Sequence, residues 1–128
     1  LGIKFHKKPF AIAPNWLAVH GDHTPIKSQG GLSALEAARR YGRNVISGHT
    51  HRMGRSSFTE AFGGKQGRVL HGVEVGNLMC LAKAGYMKGY ANWQTGFGIM
   101  YVDGNHVSVD LIYMEKDASF IVAGKRYG

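Results

Sequence analysis

The first fifty residues constrain this chain most, because two short apolar runs there flank a single helix-forming segment. Asn15–His20 (NWLAVH) is apolar and too short for a helix, so it reads as a buried strand. Leu32–Tyr41 carries helix formers, Ser33-Ala34-Leu35-Glu36 has the spacing of a capping box, and Gly42 fits the residue just past a helix end. Asn44–Ser47 (NVIS) is a second short strand that stops at Gly48. Strand, helix and strand at this spacing make a βαβ unit of about minimal length. Its strands are then parallel neighbours joined by a right-handed crossover. Open α/β sheets bind ligands outside the carboxyl ends of their strands. The residues at those ends are His20 and His49.

The flanking segments carry weaker patterns. Residues 1–14 are basic with two prolines and read as an irregular lead-in. Residues 53–68 are glycine-rich and polar and read as a loop. Val69–Val75 alternates like a strand, and 76–93 reads as loop with a helical turn. Phe97–Val102 and Val107–Met114 are two strands joined by Asp103-Gly104-Asn105-His106, a strong hairpin signal, and Phe120–Ala123 adds one more strand. The expected fold is α/β in the α+β sense, a βαβ unit plus an antiparallel β-meander, with residues 1–128 forming a single domain.

Composition excludes several classes. Hydrophobic residues are 44% and charged residues 19%, which is a globular balance rather than a disordered one. No window approaches the roughly 18 uninterrupted apolar residues of a membrane span. The opening LGIKFHKKPF lacks the apolar core of a secretory signal, so the expected location is cytoplasmic. A single cysteine, Cys80, excludes an internal disulfide framework and a multi-cysteine zinc site; beside Met79 and Leu81 it is expected to be buried. The net charge is +8, and residues 1–64 hold nine basic residues against three acidic ones. Such a field attracts phosphate-bearing ligands.

Chemistry concentrates in Gly48-His49-Thr50-His51-Arg52. On an extended segment residues two apart face the same side, so both imidazoles could address one site. Neutral imidazoles suit manganese, iron, zinc and nickel alike. His20, ending the partner strand, is expected to join them. Arg52 and Arg55 are candidates for gripping substrate phosphate. Asp22 could orient an imidazole through its ring N–H, and His23 is a weak candidate for an acid. Trp16 and Trp93 read as core anchors.

His20-Gly21-Asp22 followed by Gly48-His49-Thr50-His51 resembles the last two motifs of the calcineurin-like metallophosphoesterases. The wider strings GRNVISGHTHRMG, HGVEVGNL and NWQTGFG are similar to versions encoded by bacteriophages. This resemblance implies a two-metal β-sandwich site in which His20 and His49 hold one ion and His51 the other. The metal it implies is manganese, with iron, zinc or nickel as alternatives. In a phage protein the location would be the host cytoplasm. The family also uses an Asp-x-His, a Gly-Asp-x-x-Asp that supplies the bridging carboxylate, and a Gly-Asn-His followed by an acid, all earlier in the chain. Only 19 residues precede His20, and none of those motifs is among them. Gly104-Asn105-His106 spells part of the last motif, but it follows the GHTH string and falls in the hairpin turn.

The resemblance therefore implies half of a site and half of a sandwich, the C-terminal portion of the family's domain. Three neutral imidazoles do not offset two divalent cations, which need a bridging carboxylate to sit about 3.5–4 Å apart. The expected function is the histidine-bearing part of a phosphodiesterase or nuclease, feeble or inactive alone and completed by an N-terminal half. The alternative is a non-catalytic basic nucleic-acid-binding or assembly subunit with a degenerate metal site. A half-sandwich should also expose an apolar face and favour self-association.

Overall fold

The computed structural model describes residues 2, 6–80, 83–84 and 91–128. Within them the fold is mixed α+β. The elements run β1 (Phe10–Ala13), β2 (Trp16–Val19), α1 (Leu32–Tyr41), β3 (Asn44–Ser47), β4 (Met53–Phe62), β5 (Lys65–Val75), β6 (Gly96–Asp103), β7 (His106–Tyr113), β8 (Phe120–Val122) and β9 (Lys125–Tyr127).

The βαβ unit forms where the sequence places it. β2 and β3 are parallel and adjacent, with Leu17 opposite Val45 and Val19 opposite Ser47. The central sheet has the order β1-β2-β3-β5-β4. The helix lies on one face, where Ala34, Ala37 and Ala38 pack on Val45 and Leu70. The β6–β7 hairpin contributes to a second core, where Val109 packs with Trp16 and Val73 and is flanked by Met100, Val107 and Leu111.

Four expectations about the elements are corrected. The lead-in contains β1, which pairs antiparallel with β2 through a turn at Pro14-Asn15, with Asn15 at φ 59°. Asparagine tolerates that left-handed backbone better than most residues. The supposed loop 53–68 is most of the longest hairpin, β4–β5, closed by Gly63-Gly64 at φ 58° and 73°. Two adjacent residues with positive φ are what a tight two-residue hairpin turn requires. Most of β4 is exposed, so it shows no apolar alternation. β5 then runs parallel to β3 and extends the first sheet, so the second half is not a simple meander. Finally, no capping box forms: the N-cap is Gly31 at φ 86°, and the Ser33 hydroxyl instead accepts the Lys27 backbone N–H.

The tertiary fold supplies that missing cap. Glu74 of β5 is fully buried, and its Oε2 accepts the Gly31 N–H at the start of α1. At the other end Gly42 takes the left-handed backbone expected of it and donates its N–H to the Ala38 carbonyl. Glu36 faces outward, paired with Lys27 and Arg40; the Lys27 bond leads in holding its carboxyl below the usual range.

Exposed large apolar side chains lie on the edge strand β1 (Phe10 and Ile12), at the β4–β5 tip (Phe62) and on the outer hairpin (Tyr101, Val102 and Tyr113). Cys80 is exposed rather than buried, because it lies beyond the end of β5. Trp16 is a core residue, as expected. No helix among the described residues is long and apolar enough to cross a membrane.

Candidate functional site

The carboxyl ends of β2 and β3 bring two of the three predicted histidines together. His20 follows β2 directly, and His49 lies two residues past β3. His20 Nε2 and His49 Nδ1 are hydrogen-bonded to each other at 3.0 Å, with ring centroids at 4.7 Å. Both rings are exposed. The close approach follows from the parallel register, since Val19 and Ser47 are direct partners and each chain leaves its strand beside the other.

His51 does not join this pair. Residues 48–52 carry the chain from β3 to β4, across the end of β5. That is two strand spacings, or about 10 Å. His49 therefore stays beside β2, whereas His51 arrives at the end of β5. There the His51 ring meets the edge of Trp93 at 4.6 Å between centroids. The segment is not extended: His49 and His51 sit at φ 64° and 58°, and buried Thr50 donates its N–H to the Gly48 carbonyl at 2.7 Å. Left-handed backbone at two non-glycine residues costs about 1–3 kcal/mol each and concentrates at functional sites.

A polar clamp holds this conformation. The Asn77 side-chain amide donates to the His51 and Gln94 carbonyls at 3.2 and 3.0 Å. The Gln94 backbone N–H also reaches the His51 carbonyl at 3.0 Å, and its side chain accepts the Met53 N–H at 2.9 Å. These residues come from the HGVEVGNL and NWQTGFG strings, so those strings hold the GHTH loop in place. Alanine at position 77 should cost about 1–3 kcal/mol, the range for partners left unsatisfied when buried. Urea denaturation measures it; an unchanged midpoint would remove the clamp from this account.

Four buried side-chain atoms have no partner among the described residues: His51 Nδ1, Arg52 Nε and Nη1, and Glu74 Oε1. Buried polar groups are normally satisfied, so orphans gathered around one loop and one strand end are informative. Arg52 Nε and Nη1 are thus buried donors with no acceptor among the described residues. Glu74 carries no local signal of this burial, because Val73-Glu74-Val75 looks like an alternating strand with an outward acid. Burial comes from the Gly30-Gly31 turn, whose backbone packs directly on Met53, Gly54 and Ser56.

The remaining candidates make other contacts. The Asp22 carboxylate is 3.5 Å from His23 Nε2, and both residues are exposed. Arg55 sits on β4, three strand spacings or about 14 Å from β2. Its charge acts on His71 instead. The His71 imidazole is held below the usual histidine range by burial and, second, by Arg55. Its Nδ1 lies 2.7 Å from the Ser57 hydroxyl, and its ring stacks near Trp16. Gly104 and Asn105 form the β6–β7 turn, as expected.

His71 makes the fold sensitive to acid. Its folded pKa lies below the unfolded value of about 6.5. Between those two values the unfolded chain binds more protons, so stability rises with pH. The contribution is present above about pH 6.5 and is lost as pH falls through the folded value. His71→Gln should therefore flatten the fall in Tm between pH 7 and 5; an identical fall in both proteins would discount His71 as its source.

The fold and the loop define a mixed α+β protein with two histidines paired at a parallel strand edge. Among the described residues no group of three or more His, Cys, Asp or Glu side chains is placed to hold a metal ion. Over 106 residues the chain is 44% identical to the Gene 54 protein of Mycobacterium phage D29 and 43% identical to the Gene 54 protein of Mycobacterium phage L5. Each match covers 80% of this chain but only 41% of the phage protein. No protein-family model matches the chain. No solved structure matches it either.

Proposed function

We propose that this chain is one part of a two-metal phosphoesterase of the phosphodiesterase or nuclease type. It contributes His20, His49 and His51, and the other ligands come from a further polypeptide or from more of the same one. One observation carries the reading: His20 Nε2 and His49 Nδ1 lie 3.0 Å apart at the ends of adjacent parallel strands. That is the separation of neighbouring ligands at right angles on one cation, with metal–nitrogen distances of about 2.1 Å. The left-handed backbone at His49 and His51 supports it. So does the greater length of the phage relatives, which leaves room for an acidic ligand set.

The residues fit a cation in part. His20 and His49 would share one ion, and His51 would serve another only once a partner supplies the bridging acid. Bound ions, manganese on the family likeness, would activate water and take up charge on the phosphoryl oxygens. Arg52 would then hold a phosphate by charge-assisted hydrogen bonds. The same reading makes the fold half of that family's sandwich and places the protein in the host cytoplasm.

Calorimetric titration of the purified chain with Mn²⁺ tests this. We expect weak uptake of one ion per chain, and negligible turnover of bis-p-nitrophenyl phosphate. No uptake at all would overturn the metal reading; robust turnover by the chain alone would overturn the half-site. A second reading, a non-catalytic nucleic-acid-binding or assembly subunit, draws on the absence of a three-ligand group among the described residues. It predicts nucleic-acid affinity with no Mn²⁺ uptake.

A further inference from the structure

A cavity of about 620 Å³ opens against His20, lined among others by His6, Lys7, Lys8, Phe10 and Val19. That volume lies within the range of small-molecule sites, about 300–1,000 Å³. Its chemistry is distinctive. The His6 and Phe10 rings lie 4.4 Å apart between centroids, tilted by 34°, and Phe10 is 44% exposed on the edge strand β1. Two lysines come between these rings in the sequence, and both are exposed. The one acid in the lining, Asp22, already faces His23. The result is an aromatic shelf with two cations, on the side of a histidine that the proposed phosphoesterase would use.

We propose that this cavity receives an unpaired base of a single-stranded nucleic acid, stacked on Phe10, with its backbone phosphates on Lys7 and Lys8. Accessible aromatic faces interleaved with cations are the recurring means of holding single strands, because every base has a face to stack and every linkage a charge. A duplex hides its base faces, so the shelf discriminates against it. Charge complementarity extends beyond the pocket, given the +8 net charge. Placement of the strand for hydrolysis rests on the phosphoesterase reading; binding in the pocket does not.

Fluorescence anisotropy with a 5′-labelled dT12 strand and the whole chain, in EDTA, reads the pocket without any metal. Wild type should bind dT12 and be displaced far less by a duplex of equal length. Phe10→Ala should weaken binding roughly tenfold, as loss of one stacked base does. The exposed double variant Lys7→Gln/Lys8→Gln should shallow the dependence of log K on log salt by about 1.4, the value for two single-strand phosphate contacts. It keeps the test decisive should Phe10→Ala misfold. Equal affinity for strand and duplex, or an unaltered salt slope in the lysine variant, would overturn the proposal. Mn²⁺ calorimetry reads the histidines separately. A chain that takes up no Mn²⁺ yet binds dT12 with the expected salt slope loses the hydrolase reading and keeps this one.

Discussion

Alanine in place of Gly72 is expected to destabilise the protein by at least about 3 kcal/mol, the upper part of the usual range for overpacking. Gly72 lies in β5 directly beneath α1. A Cβ there would fall within the contact distance of the Leu35 backbone nitrogen and the Ala34 carbonyl carbon. Backbone atoms cannot rotate aside as a side-chain tip can, so the helix would have to lift from the sheet. Lifting it uncovers the core in which Ala34, Ala37 and Ala38 meet Val45 and Leu70. A domain with a total stability of about 5–15 kcal/mol is sensitive to such a change. Gly48→Ala is the informative control. Its Cβ would approach nothing closer than the His20 carbonyl oxygen at 4.0 Å, and Gly48 has no positive φ. It should stay within about 0.5 kcal/mol of wild type. Urea midpoints for the two variants decide the matter; equal values would show that the helix is not held at backbone contact.

His49→Ala should abolish Mn²⁺ uptake by the isolated chain, and His20→Ala should do the same. The pair at 3.0 Å is the only place where the structure brings two of the predicted ligands together. His51→Ala should affect uptake by the isolated chain far less, since its ring lies against Trp93. If the proposed phosphoesterase is completed by further ligands, each of the three changes should lower phosphodiester hydrolysis by at least roughly 100-fold. Loss of a mere orienting partner of a metal ligand already costs about 10–100-fold. Equal losses of uptake by the isolated chain in His51→Ala and His49→Ala would overturn the separation of His51 from the pair.

The parts legible in the sequence are those where local chemistry and tertiary environment agree. α1 ends at a glycine suited to left-handed backbone, and β2 and β3 are apolar because they are inner strands. The Asp-Gly signal placed the β6–β7 turn correctly. Where the two disagree the sequence misleads. β4 is polar because it is an exposed edge strand, and Glu74 looks outward-facing although a glycine turn and a helix cover it. Ser33 and Glu36 have capping-box spacing, yet the chain enters α1 through Gly31, and a carboxylate 43 residues away takes the cap. The site shows the same division. Proximity of His20 and His49 follows from parallel strand ends. The divergence of His51 depends on which strand lies between β3 and β4, and no local pattern specifies that. Asn77 and Gln94 were visible only as members of longer strings; their carbonyl-holding role needed the loop in three dimensions.

The buried acid at the head of α1 has one more consequence. A helix begins with partial positive charge and unmet donors, the feature by which many proteins seat a phosphate group. Here that position is already filled from within, by the Glu74 carboxylate on the Gly31 N–H. An incoming anion would find this donor already taken, so any phosphate must be drawn by cationic side chains, and its affinity should fall steeply as ionic strength rises.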